Sequence, residues 1–251
     1  MKKYFSENEW QIIENGFDPA FHESAESIFS IGNGKMGQRG MFEEQYSGKS
    51  LQGSYVAGVY YPDKTRVGWW KNGYPEYFAK VLNSPNWIGM NILIDDEELD
   101  LAKVKVSNFK RVLDMQNGLL QRSFQAAFSG GKQIAVNVER FVSCTHDEMA
   151  CIRYQIKPIN FSGKLTWSNF VDGLVKNMDS NYDEIFWDRV AEVAEAKHLA
   201  IQVKTKKLDF SVAAGFEINC FEDQELQQEI KTTSKPWHAN ADWQINMQEG
   251  K

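Results

Sequence analysis

Apolar and polar residues alternate with a period of two over one run after another of this chain, the pattern of half-buried β-strands. Residues 119–128 alternate in this way, and Ile134, Val136 and Val138 alternate with Ala135, Asn137 and Glu139. Residues 103–115 run into Asn117-Gly118, a dipeptide suited to the tight hairpin turn that needs positive φ. Residues 91–94 and 99–101 flank Asp95-Asp96-Glu97-Glu98, an acidic hairpin tip, and Gly130-Gly131 turns the chain before Ile134. Further runs at 149–156, 164–171, 199–205, 210–220 and 243–247 bring the total to about a dozen strands. Helical signals are few: 224–231 reads as a short helix or polar loop, and 190–197 fits either assignment. The pattern predicts an all-β chain folded as one large antiparallel β-sandwich over residues 1–251, with no repeat or internal linker.

The densest punctuation lies early, in Phe29-Ser30-Ile31-Gly32-Asn33-Gly34-Lys35-Met36-Gly37-Gln38-Arg39-Gly40. It differs from a phosphate-cradling loop in two respects. No Gly-Lys-Ser/Thr is present to reach a phosphate and a metal, and no amphipathic helix follows to offer its amide ends to an anion. The segment reads instead as strand, tight turn, strand, with glycine where φ must be positive.

Composition narrows the function classes. A formal net charge of -6, without a basic run, argues against nucleic-acid or anionic-membrane partners. No stretch is apolar and long enough for a signal peptide or a membrane span, which points to the cytoplasm, although a periplasmic chain with its leader removed would look the same. Cys144, Cys151 and Cys220 sit in strand-like runs and read as buried free thiols, in keeping with a reducing compartment.

Candidate chemistry is sparse. Glu43-Glu44 and Asp95-Asp96 are neighbouring carboxylates, but successive strand residues point to opposite faces, whereas a glycosidase pair must flank one bond across a cleft. Glu43 and Glu44 read as structural or loop-anchoring groups, and 95–98 as a solvated turn. His22, His146, His198 and His238 lack paired metal spacing, and Cys144-Thr145-His146 with Cys151 fits no common zinc site. No metal or other cofactor is expected. Aromatic residues make up 13% of the chain, and many cluster in 55–87. Tyr60-Tyr61-Pro62-Asp63 and the segment holding Trp69, Trp70 and Tyr74 read as loops. Tyr60, Trp69, Trp70 and Trp87 could stack on sugar rings, with Arg39, Asn72 or Asn86 supplying hydrogen bonds. The same residues suit a domain interface, the reading favoured here.

Several motifs in order resemble the start of glycoside hydrolase family 65. They are Phe29-Ser30-Ile31-Gly32-Asn33-Gly34, Gly37-Gln38-Arg39-Gly40 with Glu43-Glu44, Tyr55-Val56-Ala57-Gly58-Val59-Tyr60 and Ser84-Pro85-Asn86-Trp87-Ile88-Gly89. Leu113-Asp114-Met115-Gln116-Asn117-Gly118-Leu119-Leu120-Gln121-Arg122 and Glu139-Arg140-Phe141-Val142-Ser143 continue the series. The resemblance implies the family's N-terminal super-β-sandwich, galactose-mutarotase-like, followed in family members by a helical (α/α)6 barrel. It places the family's catalytic glutamate and its phosphate- or water-binding groups in that barrel, so no catalytic residue is assigned here. The chain is expected to stop before the barrel and to be inactive alone, with the barrel as partner, a possible homodimer, and an α-glucoside as the parent enzyme's substrate. A free-standing carbohydrate-binding module is the alternative, and a small glycosidase using Glu43 or Glu44 a third.

Overall fold

The computed structural model describes residues 4–65, 73–178, 184–222, 224–225 and 229–250. In chain order the strands begin with β1 (Phe5–Glu7), β2 (Gln11–Asn15), β3 (Ile31–Gly32), β4 (Met36–Gln38), β5 (Ser54–Val56), β6 (Tyr60–Lys64) and β7 (Tyr77–Val81). The middle supplies β8 (Asn86–Ile94), β9 (Glu97–Glu98), β10 (Lys105–Asp114), β11 (Leu119–Ala127), β12 (Gln133–Val142), β13 (Ala150–Pro158) and β14 (Gly163–Asp172). The last part adds β15 (Trp187–Glu195), β16 (His198–Thr205), β17 (Ser211–Glu217), β18 (Phe221–Glu222), β19 (Gln224–Glu225), β20 (Lys231–Lys235) and β21 (His238–Met247). Between β2 and β3 lie a 3-10 turn, Pro19–Phe21, and one helix, α1 (His22–Ile28).

Three antiparallel sheets make the body: six strands in the order β1-β2-β10-β11-β12-β13, five in the order β20-β21-β14-β8-β9, and three in the order β15-β16-β17. Alternation decides which faces meet. On β11 every second residue from Leu120 to Ala126 is buried, and on β12 every second residue from Ile134 to Val142. Phe124, Ala126, Ile134, Val136 and Val138 pack there against Met90, Ile92, Ile94 and Leu165 of the five-stranded sheet. A fully buried Ile or Phe contributes about 1.5–3 kcal/mol, so this interlayer is a main source of stability. The other end of the same five-stranded face, at Val171, Ala239 and Ala241, packs on Leu199, Ile201 and Val203 of β16. Trp167 and Ile245 touch both cores, and Trp167 stacks on Trp243 at 5.7 Å at their seam. The expected all-β antiparallel sandwich is what forms.

Turn chemistry sets the registers. The β10–β11 hairpin turns at Asn117-Gly118 with Gly118 at φ 64°, and the β8–β9 hairpin at Asp95 and Asp96 with φ 45° and 70°. In the Gly-rich segment Asn33 Oδ1 accepts from Lys35 N and Met36 N, both at 2.9 Å, and closes the β3–β4 turn.

Several local expectations need correction. Tyr60-Tyr61-Pro62-Asp63, expected as a loop, is strand β6, paired with β7 from Tyr60↔Val81 to Lys64↔Tyr77. Residues 190–197 fall in strand β15 and the turn after it, because the partner strand β16 decides what the ambiguous pattern cannot. Leu99–Leu101 is a buried turn rather than a strand, held by Asp100 Oδ1, which accepts from Ser47 N at 3.1 Å and Ala102 N at 2.9 Å. Helix α1 is seven residues long, too short for a helical period to show, and its one local signal is Asp18-Pro19, which opens the 3-10 turn before it, with Asp18 Oδ1 accepting from Ala20 N at 2.9 Å. The 224–231 segment begins with β19 rather than a helix, and 226–228 lie outside the described residues. The cysteines are not joined in disulfides, and they are not buried: Cys144 and Cys151 are exposed and Cys220 is half-buried, so they carry no argument for a reducing compartment. Among the described residues no helix is long and apolar enough to cross a membrane.

Candidate functional site

The densest set of ionisable groups lies inside the sandwich, where the chain from Arg39 to Glu44 is laid between the six-stranded sheet and β8. Met90 N donates to Glu43 O at 2.8 Å on the β8 side, and Glu44 bridges to Met90. On the other side the register aligns Glu14, Arg111, Arg122, Val138 and Tyr154 as one row across β2, β10, β11, β12 and β13. Arg140 lies in the next row, between Leu120 and Ile152. Side chains in such rows share a face, so three arginines are carried into the interior together.

Arg111 and Arg122 stand directly opposite one another, which alone would be repulsive. Glutamates resolve the conflict. Arg111 Nε donates to Glu14 Oε2 at 2.7 Å and Nη1 to Gly40 O at 2.7 Å. Arg122 bonds both neighbouring carboxylates, Nη2 to Glu43 Oε2 at 2.6 Å and to Glu44 Oε2 at 2.5 Å, with Nη1 on Glu44 Oε1. Arg140 Nη1 lies 2.8 Å from Glu43 Oε1, and its Nη2 donates to Arg39 O at 3.1 Å. Tyr4 OH donates to Glu14 Oε1 at 2.7 Å and Tyr154 OH to Glu44 Oε2 at 3.2 Å. Phe42 lies under two of the cations, its centroid 4.4 Å from the Arg122 guanidinium carbon and 5.2 Å from that of Arg111.

The glycine at position 40 is required by this crossing. A Cβ there would lie 2.8 Å from Phe29 Cβ and 2.9 Å from Phe29 O, so the backbone could not approach and Arg111 would lose its carbonyl. A second buried group adjoins it. Glu26, on α1, accepts from Ser50 Oγ and Leu51 N, each at 2.5 Å, and lies 3.3 Å from His22 Nε2.

These environments hold charge rather than exchange protons. Burial pushes the Glu43 carboxyl up, but Arg140 and Arg122 outweigh it and its pKa falls below the ordinary value. Glu26 shows the same balance, burial being overcome by His22, Ser50 and Leu51. Arg111 and Arg140 are pulled down by burial, whereas for Arg122 the facing Glu44 and Glu43 overcome burial and raise it. A guanidinium stays protonated through any of these shifts. Burial, with Glu44 nearby, pushes the Tyr154 phenol far up. A general acid near neutral pH needs a raised carboxyl pKa, and that of Glu43 moves the opposite way. Nor do the two carboxylates point to opposite faces, as successive strand residues would: Glu43 and Glu44 converge on Arg122 because this stretch crosses the sheet as a strap.

The residues proposed for sugar or interface contact fall on separate elements. Arg39 lies against α1, donating from Nη2 to Ser27 Oγ at 2.6 Å. Tyr60 is 37% exposed on β6, its ring 5.4 Å from that of Phe210. Asn86 and Trp87 open β8, half-buried, with Asn86 Oδ1 accepting from Ile88 N at 3.2 Å. Trp69, Trp70 and Asn72 lie outside the described residues. Sequence reasoning missed Glu14, Arg111, Arg122, Arg140 and Tyr154 as members of one cluster. The available signal was an arginine at an inward position of an alternating strand, seen at both Arg122 and Arg140. Among the described residues no three His, Cys, Asp or Glu gather as a metal would need. An open groove of about 580 Å³ runs past Phe17, Pro19, Tyr46, Leu101, Val104 and Val106. Its side chains are apolar apart from Tyr46 and Lys49, too few polar groups to orient a sugar.

Fold and cluster together define a large β-sandwich domain whose buried ions fasten its own layers. The chain belongs to glycosyl hydrolase family 65: the family's N-terminal domain matches residues 12–251. It is 42% identical to a maltose phosphorylase of Bacillus subtilis (strain 168) over 81% of this chain and 27% of that protein. It is 31% identical to an α,α-trehalose phosphorylase of Thermoanaerobacter brockii over 86% of this chain and 29% of that protein. A solved structure provisionally designated a kojibiose phosphorylase, from the human microbiome, superposes with a TM-score of 0.86 at 27% identity. It matches 100% of this chain and 32% of its own. The chain thus spans under a third of the length of these relatives.

Proposed function

We propose that this chain is the non-catalytic N-terminal sandwich of an enzyme acting on an α-linked glucoside, serving to brace a helical catalytic barrel and to support a dimer. The observation that carries the reading is the engagement of Glu43 and Glu44 by Arg122 and Arg140, which holds the Glu43 carboxyl below its ordinary pKa, the reverse of what a general acid needs. The names of the relatives favour phosphorolysis over hydrolysis, and the family resemblance implies that it proceeds with inversion to β-glucose 1-phosphate. The β6–β7 hairpin supports a docking role. Tyr60, Tyr77, Phe78 and Val81 are exposed on it at 37%, 49%, 41% and 57%, with Tyr74 at 54% beside it, an apolar display typical of interfaces. Arg39, Asn86, Trp69, Trp70 and Trp87 belong to the same reading as interface residues rather than sugar ligands.

The purified chain, incubated with maltose, trehalose and kojibiose with and without phosphate, is expected to release neither glucose nor glucose 1-phosphate. Robust turnover would overturn the non-catalytic reading. Tryptophan fluorescence titrated with α-glucans separates docking from sugar binding. Saturable quenching abolished by alanine at Trp69, Trp70 or Trp87 would make the chain a carbohydrate-binding module instead.

A further inference from the structure

The dipeptide Asn-Gly recurs at Asn15-Gly16, Asn33-Gly34 and Asn117-Gly118 among the described residues, and the fold treats the three differently. Asparagine before glycine is chemically unstable because glycine leaves the following amide nitrogen unhindered. That nitrogen can attack the asparagine Cγ when the side chain is free to swing toward it. At Asn33 the carboxamide is held on both sides. Oδ1 accepts from Lys35 N and Met36 N, while Nδ2 donates to Ser143 O at 2.6 Å and Asp147 O at 2.9 Å. At Asn15 the attacking group is engaged: Gly16 N donates to Phe109 O at 2.8 Å, and Asn15 is paired with Lys110. Asn117 has neither restraint. It sits exposed at the tip of the β10–β11 hairpin, and its carboxamide makes one exposed bond, from Nδ2 to Asp114 Oδ2 at 2.9 Å.

We infer that Asn117-Gly118 is a site of spontaneous deamidation and backbone isomerisation in the folded protein, whereas Asn15 and Asn33 are protected by the fold. In the step, Gly118 N forms a bond to Asn117 Cγ, the Cγ–Nδ2 bond breaks, and ammonia leaves with the proton from Gly118 N. Water then opens the five-membered succinimide at either carbonyl, giving aspartate or isoaspartate at position 117. The product cannot keep the old contact. A carboxylate replaces the amide that faced Asp114, whose own pKa is held down by hydrogen bonds from the Asn117 side chain and backbone. Isoaspartate also adds one atom to the backbone of the turn that aligns Asp114 with Leu119.

The test is peptide mapping with isoaspartate detection after ageing the purified chain at mildly alkaline pH, once folded and once in guanidinium chloride. In the folded chain conversion at Asn117 is expected to run roughly tenfold or more ahead of Asn15 and Asn33, the factor that a local opening cost of about 1.4 kcal/mol imposes. In denaturant the three rates should converge. If Asn33 or Asn15 converts in the folded chain as fast as Asn117, or Asn117 converts no faster folded than the protected pair, the inference is wrong. Asn117→Gln should remove the product at that peptide and leave the other two unchanged.

Discussion

At the scale of single residues the chain's unusual feature is the transfer of three guanidinium groups into a sandwich interior. Burying a charge is costly unless it is paired and hydrogen-bonded, and here each arginine meets a glutamate and at least one further acceptor or aromatic face. Removing one partner is therefore worse than removing both. Arg122→Met should lower unfolding free energy by about 3–5 kcal/mol, read from the denaturant midpoint, because Glu44 loses its cation while Glu43 keeps Arg140. A loss well under about 1 kcal/mol would place this pair with surface ion pairs instead. The separate members were visible in the sequence, as an early Glu43-Glu44 and as arginines inside alternating strands. Their union was not, because Arg122 and Glu44 are 78 positions apart and only strand register brings them together. The role of Gly40 was equally hidden: its need for space comes from Phe29, packed beneath it.

At the scale of elements, legibility followed how local the deciding interaction is. The β10–β11 hairpin could be placed from Asn117-Gly118 alone, and β11 and β12 from their alternation, since turn and strand each carry their own signal. Strand β6 was misread as a loop because Tyr60-Tyr61-Pro62-Asp63 has polar and turn-forming residues, and only pairing with β7 makes it extended. Helix α1 escaped notice because what holds it is tertiary, the burial of His22, Ala25 and Glu26. The acidic β8–β9 tip was legible as a turn but is not optimal as one. Asp96 occupies φ 70°, where glycine suffers no Cβ penalty, and its Lys164 partner is an exposed ion pair worth little. Asp96→Gly should accordingly raise stability by about 0.5–1 kcal/mol, seen as a higher thermal midpoint. A lower midpoint would show that the Lys164 contact outweighs the backbone preference.

At the scale of the molecule, the five-stranded sheet gives one face to two cores, so the charged interlayer and the β15–β17 core are mechanically joined through Trp167, Trp243 and Ile245. Protonation of the buried cluster should then be felt by the whole chain. Glu43, Glu26 and Asp100 all have folded-state pKa values below their unfolded ones. In the interval between the two values the unfolded chain binds more protons, so stability falls as pH falls. The contribution of Glu43 and Glu26 is complete above the ordinary glutamate value of 4.5 and is lost progressively below it. His238 adds an earlier and shallower step of the same sign. Burial, reinforced by Lys235 and opposed by Asp172, lowers its pKa from 6.5, so the unfolded state takes up a proton first as pH drops through that value. Denaturant midpoints measured by tryptophan fluorescence should therefore decline slightly below pH 6.5 and steeply below pH 4.5. His238→Gln should abolish the first decline and leave the second, because the Glu43–Arg122–Arg140 contacts do not involve it. A profile that stays level through the lower interval would mean that the glutamates already carry protons in the folded chain, and the ion-paired description of the interlayer would fail.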